Sequence, residues 1–373
     1  MLRLTEIVCF AAFTSACGSG AGGGGSGTGL FPGTQPILFA DSSEGIQAFA
    51  IYTNTGALVP LSMTAVSSLS LSITGNMLIT NSGKFLLVCD STGSQIRVFS
   101  ITAATGAVTE VAGSPFAIGG QGGGSLAFSP DDDYVYAAYS NGVAGFQLDA
   151  STGALTPLAG SPFSDGSSPN AVASFLGANI VLTTGNSPQQ GFSVYTLTPA
   201  TGALTPLAGS PFSTPLSSPP YNLTPVASGH VYATVPSDNA VLGFNLDTIN
   251  GIVTAVPGSP FAAVNLDFFL GADPLGKFVY TCNEGNGTLS GYTITPPNGA
   301  LNPIIGSPFG GHNCDTTVIV DPSGQYLYAA NPQGDSIIGY QIDSTTGALR
   351  MLNSSPFNTK DPTLLAVGMV TVP

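Results

Sequence analysis

Seven copies of one unit, spaced 47 to 50 residues apart, fill almost the whole 373-residue chain. Each copy carries a small-residue turn followed by a short apolar run, as in Thr55-Gly56-Ala57-Leu58. The turn glycines are Gly56, Gly106, Gly153, Gly202, Gly251, Gly299 and Gly347. A fixed period in this range is typical of solenoids and propellers, in which each repeat buries its apolar faces against its neighbours.

Each repeat predicts four short β-strands. In the last full unit, apolar runs at 314–321, 326–330, 336–342 and 348–352 are separated by turn residues, with the period-two alternation of strands. The turn glycine supplies the positive φ of a tight hairpin. A recurring Ser-Pro-Phe, first at 114–116, leads out of the fourth strand, and we expect its phenylalanine to pack between neighbouring sheets.

Seven such units without a helical segment predict an all-β fold, a seven-bladed β-propeller over residues 36–373. The first unit lacks an innermost strand, and the chain ends with a surplus strand at 363–372. Pairing this strand with residues 37–40 would close the ring and remove an open sheet edge.

The charge balance excludes several partners. Six Lys and Arg stand against 20 Asp and Glu, a net charge of −14. The chain therefore cannot follow a phosphate backbone or dock on an anionic membrane through a basic patch, and we expect no nucleic-acid partner. Apolar residues make up 43% of the chain, which favours one large folded domain, expected to be a monomer.

The N-terminus predicts export. Arg3 precedes an apolar run too short to span a bilayer, so residues 1–16 are interpreted as a signal peptide. Thr14-Ser15-Ala16-Cys17 resembles a bacterial lipobox, although Thr14 stands where Leu is usual, and it makes Cys17 the expected lipidation site. A glycine-rich tether over 17–35 follows. These features predict a membrane-anchored lipoprotein in the periplasm or on the cell surface; an ordinary signal peptide cut nearby is the alternative.

The repeat resembles that of a known family. Asp273-Pro274-Leu275-Gly276-Lys277-Phe278-Val279-Tyr280 and the corresponding residues 321–328 are similar to motifs of the lactonase-type seven-bladed propellers, which include 6-phosphogluconolactonase-like proteins and Tyr-Val-Thr-Asn repeat surface proteins. The resemblance covers the chain from about Pro36 and implies either lactone hydrolysis or surface binding. Its motifs specify the scaffold rather than the chemistry.

A ligand site is expected at the mouth of the central channel, on the face that carries the loops after the second strands and before the innermost strands. The candidate binding residues there are acidic or amide-bearing: Asp41, Glu44, Asp90, Asn141, Asp238, Asn239, Asn283, Asn331 and Asp335. Arg and Lys, which would hold an anionic substrate, are almost absent from these loops. An acidic mouth argues against a phosphorylated lactone.

Two histidines need separate interpretations. His312, followed by Asp315 and near Glu284 of the preceding blade, could act as general base on a water that attacks a lactone, or could be an ordinary loop histidine. His230 aligns with Tyr326 and is expected to be a packing residue.

Two function classes remain open. The first is a surface module that binds a glycan, a protein or a small neutral lactone at the channel mouth; the second is a hydrolase of neutral lactones acting through His312. Calcium is the alternative cofactor that the Asp, Asn and Glu loops would suit, but these loops lack the contiguous spacing of a calcium loop, so no cofactor or metal is expected. Cys89 is expected to be a buried thiol, and a disulfide between Cys282 and Cys314 is left open.

Overall fold

The computed structural model describes residues 33–66, 76–90, 94–120, 123–164, 166, 168–175, 178–187, 189, 191–247, 252–264, 266–283, 287–310, 316–359, 362–363 and 365–372. Within these residues the chain forms seven antiparallel β-sheets, and the helical segments are two 3-10 turns. The predicted seven-bladed propeller is confirmed.

The strands follow the repeat. The chain begins with β1 (Gly33–Ser42), β2 (Gly45–Ile51) and β3 (Leu58–Thr64). Blade 2 contains β4 (Met77–Ile79), β5 (Phe85–Asp90), β6 (Gln95–Ile101), β7 (Val108–Glu110) and β8 (Phe116–Ala117). Blade 3 contains β9 (Gly123–Phe128), β10 (Tyr134–Tyr139), β11 (Gly142–Leu148) and β12 (Leu155–Pro157). Blade 4 contains β13 (Val172–Ser174), β14 (Ile180–Thr184), β15 (Phe192–Leu197) and β16 (Leu204–Pro206).

The second half repeats this order. Blade 5 contains β17 (Asn222–Pro225), β18 (His230–Val235), the 3-10 turn Pro236–Asp238, β19 (Ala240–Asp247), β20 (Ile252–Ala255) and β21 (Phe261–Ala262). Blade 6 contains β22 (Leu266–Ala272), β23 (Phe278–Asn283), β24 (Thr288–Thr295) and β25 (Ala300–Pro303). Blade 7 contains β26 (Val318–Val320), β27 (Tyr326–Asn331), the 3-10 turn Pro332–Gly334, β28 (Ser336–Ile342), β29 (Leu349–Met351) and β30 (Phe357–Asn358); the last strand is β31 (Leu365–Val372).

The two ends of the chain close the ring in blade 1. Its strand order is β3-β2-β1-β31, so the last strand is the innermost strand of the first blade. Ile37 pairs with Gly368 and Ala40 with Leu365, as the sequence predicts. The pairing continues to Gly33, inside the segment assigned to the tether. Contacts between successive innermost strands run around the whole ring.

The core lies between the blades. Seven clusters of buried apolar side chains occupy the seven blade interfaces, one cluster for each pair of neighbours. In the cluster between blades 1 and 2, Phe39 and Phe99 are almost completely buried. Because every blade buries both faces in this way, most of the favourable free energy of folding comes from contacts between blades.

The Ser-Pro-Phe segment has a structural role in every blade that contains it. Its serine hydroxyl accepts a hydrogen bond from a backbone N–H of the third strand, for example from Gly339 to Ser355 at 3.0 Å. Its phenylalanine pairs with the start of that strand, as Phe357 does with Ile337, and packs in a cluster between two blades. The prediction for the phenylalanine is confirmed; its pairing with the third strand was not foreseen.

Cys89 is a fully buried free thiol, as predicted, and burial raises its pKa to about 12, with a smaller contribution from the charge of Asp90. Cys282 is disulfide-bonded. Cys314 lies outside the described residues, so whether these two cysteines are bridged to each other stays open.

Candidate functional site

The innermost strands line a central channel. Its described part contains a cavity of about 270 Å³ lined by the innermost strands of blades 2 to 6, with Leu78, Ala127, Val172 and Phe269 among its apolar residues. Asn76 and Asn222 contribute amides at the start of their strands, and Asn81 and Asp132 lie beyond the ends of theirs. The channel can therefore hold a small molecule that has both apolar and hydroxyl-bearing faces.

Polar residues of the innermost strands join neighbouring blades. The Asn76 amide donates to the carbonyl of Leu126 at 3.0 Å and accepts from its N–H at 2.7 Å. Ser125 accepts from the N–H of Val172 at 2.7 Å, and Thr224 donates to the carbonyl of Leu270 at 3.0 Å. These side chains hold the channel wall in shape, which leaves less of their hydrogen-bonding capacity for a ligand.

Four of the predicted binding residues are buried at the ends of second strands and already hydrogen-bonded. Asp41 accepts from the backbone N–H and the hydroxyl of Thr363, at 2.7 and 2.5 Å. Asp90 accepts from Gln95. Asn283 donates to Thr288 at 2.7 Å, and Asn331 accepts from the N–H of Gly334 at 3.0 Å.

The Asp41–Thr363 contact joins a second-strand exit to the residues before an innermost strand. These two sets of loops therefore share one face, as the sequence predicts. We call this face the mouth face.

The other described mouth residues are more accessible. Glu44, Asn141, Asn239 and Asp335 are exposed, and Asp238 is half-buried. Asn239 and Asp335 adopt left-handed conformations, with φ of 49° and 47°, directly after the 3-10 turns of blades 5 and 7. Asp238 accepts from Ser217 and from the N–H of Ser218, and the first of these hydrogen bonds is the main reason that its pKa lies below the usual value.

His230 is a packing residue, as predicted. It is 5% exposed, its Nδ1 lies 2.6 Å from Oδ1 of Asn245, and its ring packs against Gly299 of the next blade. His312, Asp315 and Glu284 lie outside the described residues, as does Cys17. Their catalytic and lipidation roles stay predictions.

Comparison with known proteins identifies the family. A family model described as lactonase, seven-bladed β-propeller, matches residues 38–173 and 270–367, more than half of the chain. The chain belongs to this family. No curated protein matches it in sequence.

Solved structures share the fold of this family member. A candidate 6-phosphogluconolactonase of Bacteroides fragilis is 17% identical with a TM-score of 0.71, covering 89% of this chain and 98% of its own. The periplasmic gluconolactonase of Pseudomonas aeruginosa is also 17% identical, with a TM-score of 0.70, 91% of this chain and 100% of its own. At this identity the likeness shows the fold alone.

The described basic side chains of this family member lie away from the mouth face. Arg97 is buried and bonded through Nε and Nη2 to both carboxylate oxygens of Glu110, at 2.9 and 2.6 Å. Lys84 and Lys277 are exposed in the turns between first and second strands, on the opposite face. Arg350 lies on the outer strand β29. Within the described part of the chain, no cation faces a ligand at the mouth.

The opposite end of the channel holds a carboxylate that sequence reasoning missed. Asp132 adopts a left-handed φ of 63° and accepts hydrogen bonds from the backbone N–H and the side-chain amide of Asn81, the latter at 3.0 Å. Burial, with a smaller contribution from the charges of Asp131 and Asp133, raises the pKa of Asp132 to about 6. A signal was present in the sequence, since these three aspartates form its densest acidic run.

The described residues show neither a metal-binding cluster nor a membrane-spanning helix. They contain no group of three or more His, Cys, Asp and Glu side chains placed to hold a metal ion. No helix among them is long and apolar enough to cross a bilayer.

Proposed function

We propose that the protein is an extracytoplasmic lipoprotein whose propeller binds a neutral ligand, a glycan or a protein segment, at the mouth of the central channel. The observation that carries this proposal is the distribution of charge. Carboxylates and amides line the mouth face, while the described cations are paired within a blade or lie elsewhere. Carboxylate and amide groups are the usual partners of sugar hydroxyls and peptide N–H groups.

Ligand binding can be tested with neutral oligosaccharides by calorimetry. The double variant Asn141→Ala/Asp335→Ala alters two exposed mouth positions and should weaken binding about tenfold or more, because two polar contacts are removed. Lys84→Ala, on the opposite face, is the matched control and should leave the affinity unchanged. Equal weakening by both variants, or no binding of any neutral saccharide, would contradict a glycan ligand at the mouth.

Hydrolysis of a neutral lactone is the second candidate function. It is favoured by membership of the lactonase family and by the structural likeness to a periplasmic gluconolactonase. In this function His312 acts as general base on a water, and Asp315 and Glu284 orient its ring. The acidic mouth repels a phosphorylated lactone.

Rates on glucono-1,5-lactone and its 6-phosphate separate the two candidates. A hydrolase should act on the neutral lactone alone, and His312→Ala should lower that rate by roughly 10²–10⁴. Absence of turnover on both substrates favours binding. Turnover of the 6-phosphorylated lactone that His312→Ala abolishes contradicts both proposals.

The lipid anchor has its own test. Cys17→Ala should release the mature protein from the membrane fraction or leave the precursor uncut. Mass spectrometry of the native protein should find acyl chains on Cys17, and an unmodified N-terminus downstream of this residue would contradict the lipoprotein assignment.

A further inference from the structure

A second polar cavity lies at the outer edge of the ring, where blade 7 meets blade 1. This seam cleft has a volume of about 450 Å³ and is formed by the hairpin turn after β2 and by the end of β29 with the turn that follows it. Its floor contains Tyr326 and Leu352, which are 3% and 4% exposed. The cleft is separate from the central channel, which is lined by the innermost strands.

The residues around the cleft depart from the repeat. Arg350 pairs in register with Gln341 of the third strand. The positions in the same register in the other blades hold Val59, Thr109, Thr156, Thr205, Thr254 and Asn302. Because the other six blades have no cation at this position, the fold does not need Arg350 for packing.

The turn after Arg350 also departs from the repeat. The other Ser-Pro-Phe segments are preceded by Ala-Gly, Pro-Gly or Ile-Gly, and their glycines have φ between 85° and 95°. Blade 7 has Asn353 and Ser354 instead, and Ser354 is not among the described residues with positive φ. Both side chains line the cleft. Three departures from the repeat therefore meet in one cavity.

The chemistry of the cleft suits an anion. Its polar lining consists of one guanidinium, three amides and three hydroxyls: Arg350, Asn54, Asn353, Gln341, Thr55, Ser354 and Tyr326, whose hydroxyl donates to the carbonyl of Thr53 at 3.1 Å. None of the lining residues is acidic, in a protein that carries 20 carboxylates against six basic side chains. Arg350 is exposed and donates through Nη2 to Oε1 of Gln341 at 2.7 Å, which orients the guanidinium at the cleft.

We propose that the seam cleft binds an acidic sugar, with its carboxylate on Arg350 and its hydroxyls on the surrounding amides. A guanidinium presents two parallel N–H groups that match the two oxygens of a carboxylate. A single cation balances one negative charge, which favours a carboxylate over a doubly charged phosphate. The amides of Asn54 and Asn353 can donate to and accept from sugar hydroxyls.

Three monosaccharides of similar size test this proposal: D-glucuronate, D-glucose and glucose 6-phosphate, titrated by NMR at low salt. At the resonances of the cleft residues we expect millimolar binding of glucuronate that weakens as salt is added, and no comparable binding of glucose. Arg350→Thr restores the residue found in four other blades and should weaken glucuronate binding at least about tenfold with an unchanged melting temperature. Lys84→Thr removes an exposed cation elsewhere and should have no effect.

A second variant tests whether a loss of binding in Arg350→Thr could come from altered folding. Asn353→Ala/Ser354→Gly restores the turn of blades 2 to 4 and should also weaken glucuronate binding while leaving the fold intact. Equal affinity of native protein and Arg350→Thr, tighter binding of glucose 6-phosphate, or no binding of glucuronate at millimolar concentration would each overturn the proposal. None of these results at the cleft bears on the channel mouth, for which a neutral ligand is proposed.

Discussion

The hydroxyl of Tyr328 donates a 2.8 Å hydrogen bond to the carbonyl of Gly56, across the seam where blade 7 meets blade 1. Three other interfaces have the same contact, in which a second-strand tyrosine reaches the hairpin glycine of the next blade: Tyr136–Gly202, Tyr232–Gly299 and Tyr280–Gly347. The seam that closes the ring is thus held by the same contact as three of the six other blade interfaces.

The tyrosine is accompanied by a second glycine. Tyr328 pairs in register with Gly339 of the third strand, and the other three tyrosines pair with Gly145, Gly243 and Gly291. Where the second strand has Phe39, Leu87 or Leu182 instead, the paired residue is Ala48, Val98 or Val194. A glycine opposite the tyrosine leaves space beside its ring, so the two residues vary together among the repeats.

Tyr328→Phe should lower the free energy of unfolding by about 1–3 kcal/mol, because it leaves the Gly56 carbonyl without this donor in a buried interface. Urea unfolding measures the change. Tyr52→Phe, at a tyrosine that is 46% exposed, is the control and should be close to neutral. Equal stability of the native protein and Tyr328→Phe would show that the hydrogen bond does not stabilise the seam.

Gly347→Ala should lower the free energy of unfolding by more than the positive φ of Gly347 alone implies. Its φ is 74°, and an added Cβ would lie 2.5 Å from Cδ1 of Phe278 in the neighbouring blade. Backbone strain and overpacking together predict a loss of about 2 kcal/mol or more. Gly119→Ala is the matched control, because Gly119 has a φ of 93° and nothing within 4 Å of the added Cβ. Similar losses in both variants would contradict a packing role for Gly347.

The fold could be predicted from the sequence because it depends on features that repeat in every blade. Gly56 was assigned a role from its local backbone, and that role is confirmed by a φ of 68°. Its contact with Tyr326 and Tyr328 was not predictable from local pattern, because those residues are about 270 positions away and meet it only when the ring closes.

The site was less predictable, for a related reason. Sequence placed Asp41 and Asn283 at the ends of second strands, where they lie. The sequence could not show that these two side chains are already hydrogen-bonded, Asp41 to Thr363 and Asn283 to Thr288. Asp132 was missed because its raised pKa arises from burial beside a residue of another blade. Local sequence gives position along a strand but not the environment that a neighbouring blade supplies.

Removing residues 365–372 should prevent formation of a soluble monomer. Without β31, strand β1 loses its partner from Gly33 to Ala40 and exposes an apolar edge. Size-exclusion chromatography should show aggregates, whereas removal of residues 1–32, which precede β1, should leave a monomer with unchanged melting. A soluble truncated monomer that melts like the native protein would contradict the role of the pairing in closure.

Asp132 should make stability fall as the pH rises from about 4 to 6. Its pKa in the folded protein is about 6, above the value of about 3.9 expected in the unfolded chain. Between these values the folded state binds more protons than the unfolded state, so raising the pH favours unfolding. Asp132→Asn removes this contribution, and its unfolding free energy in urea should rise relative to that of the native protein between pH 4 and pH 7.

Asp343→Asn gives the opposite sign and serves as the control. Hydrogen bonds from Thr346, the largest from its backbone N–H, hold the pKa of Asp343 below its usual value, so this carboxylate stabilises the fold above the unfolded pKa and ceases to do so as the pH falls. On acidification, the unfolding free energy of the native protein should therefore fall relative to that of Asp343→Asn and rise relative to that of Asp132→Asn. Parallel pH profiles for the native protein and Asp132→Asn would show that Asp132 ionises as freely as an exposed carboxylate.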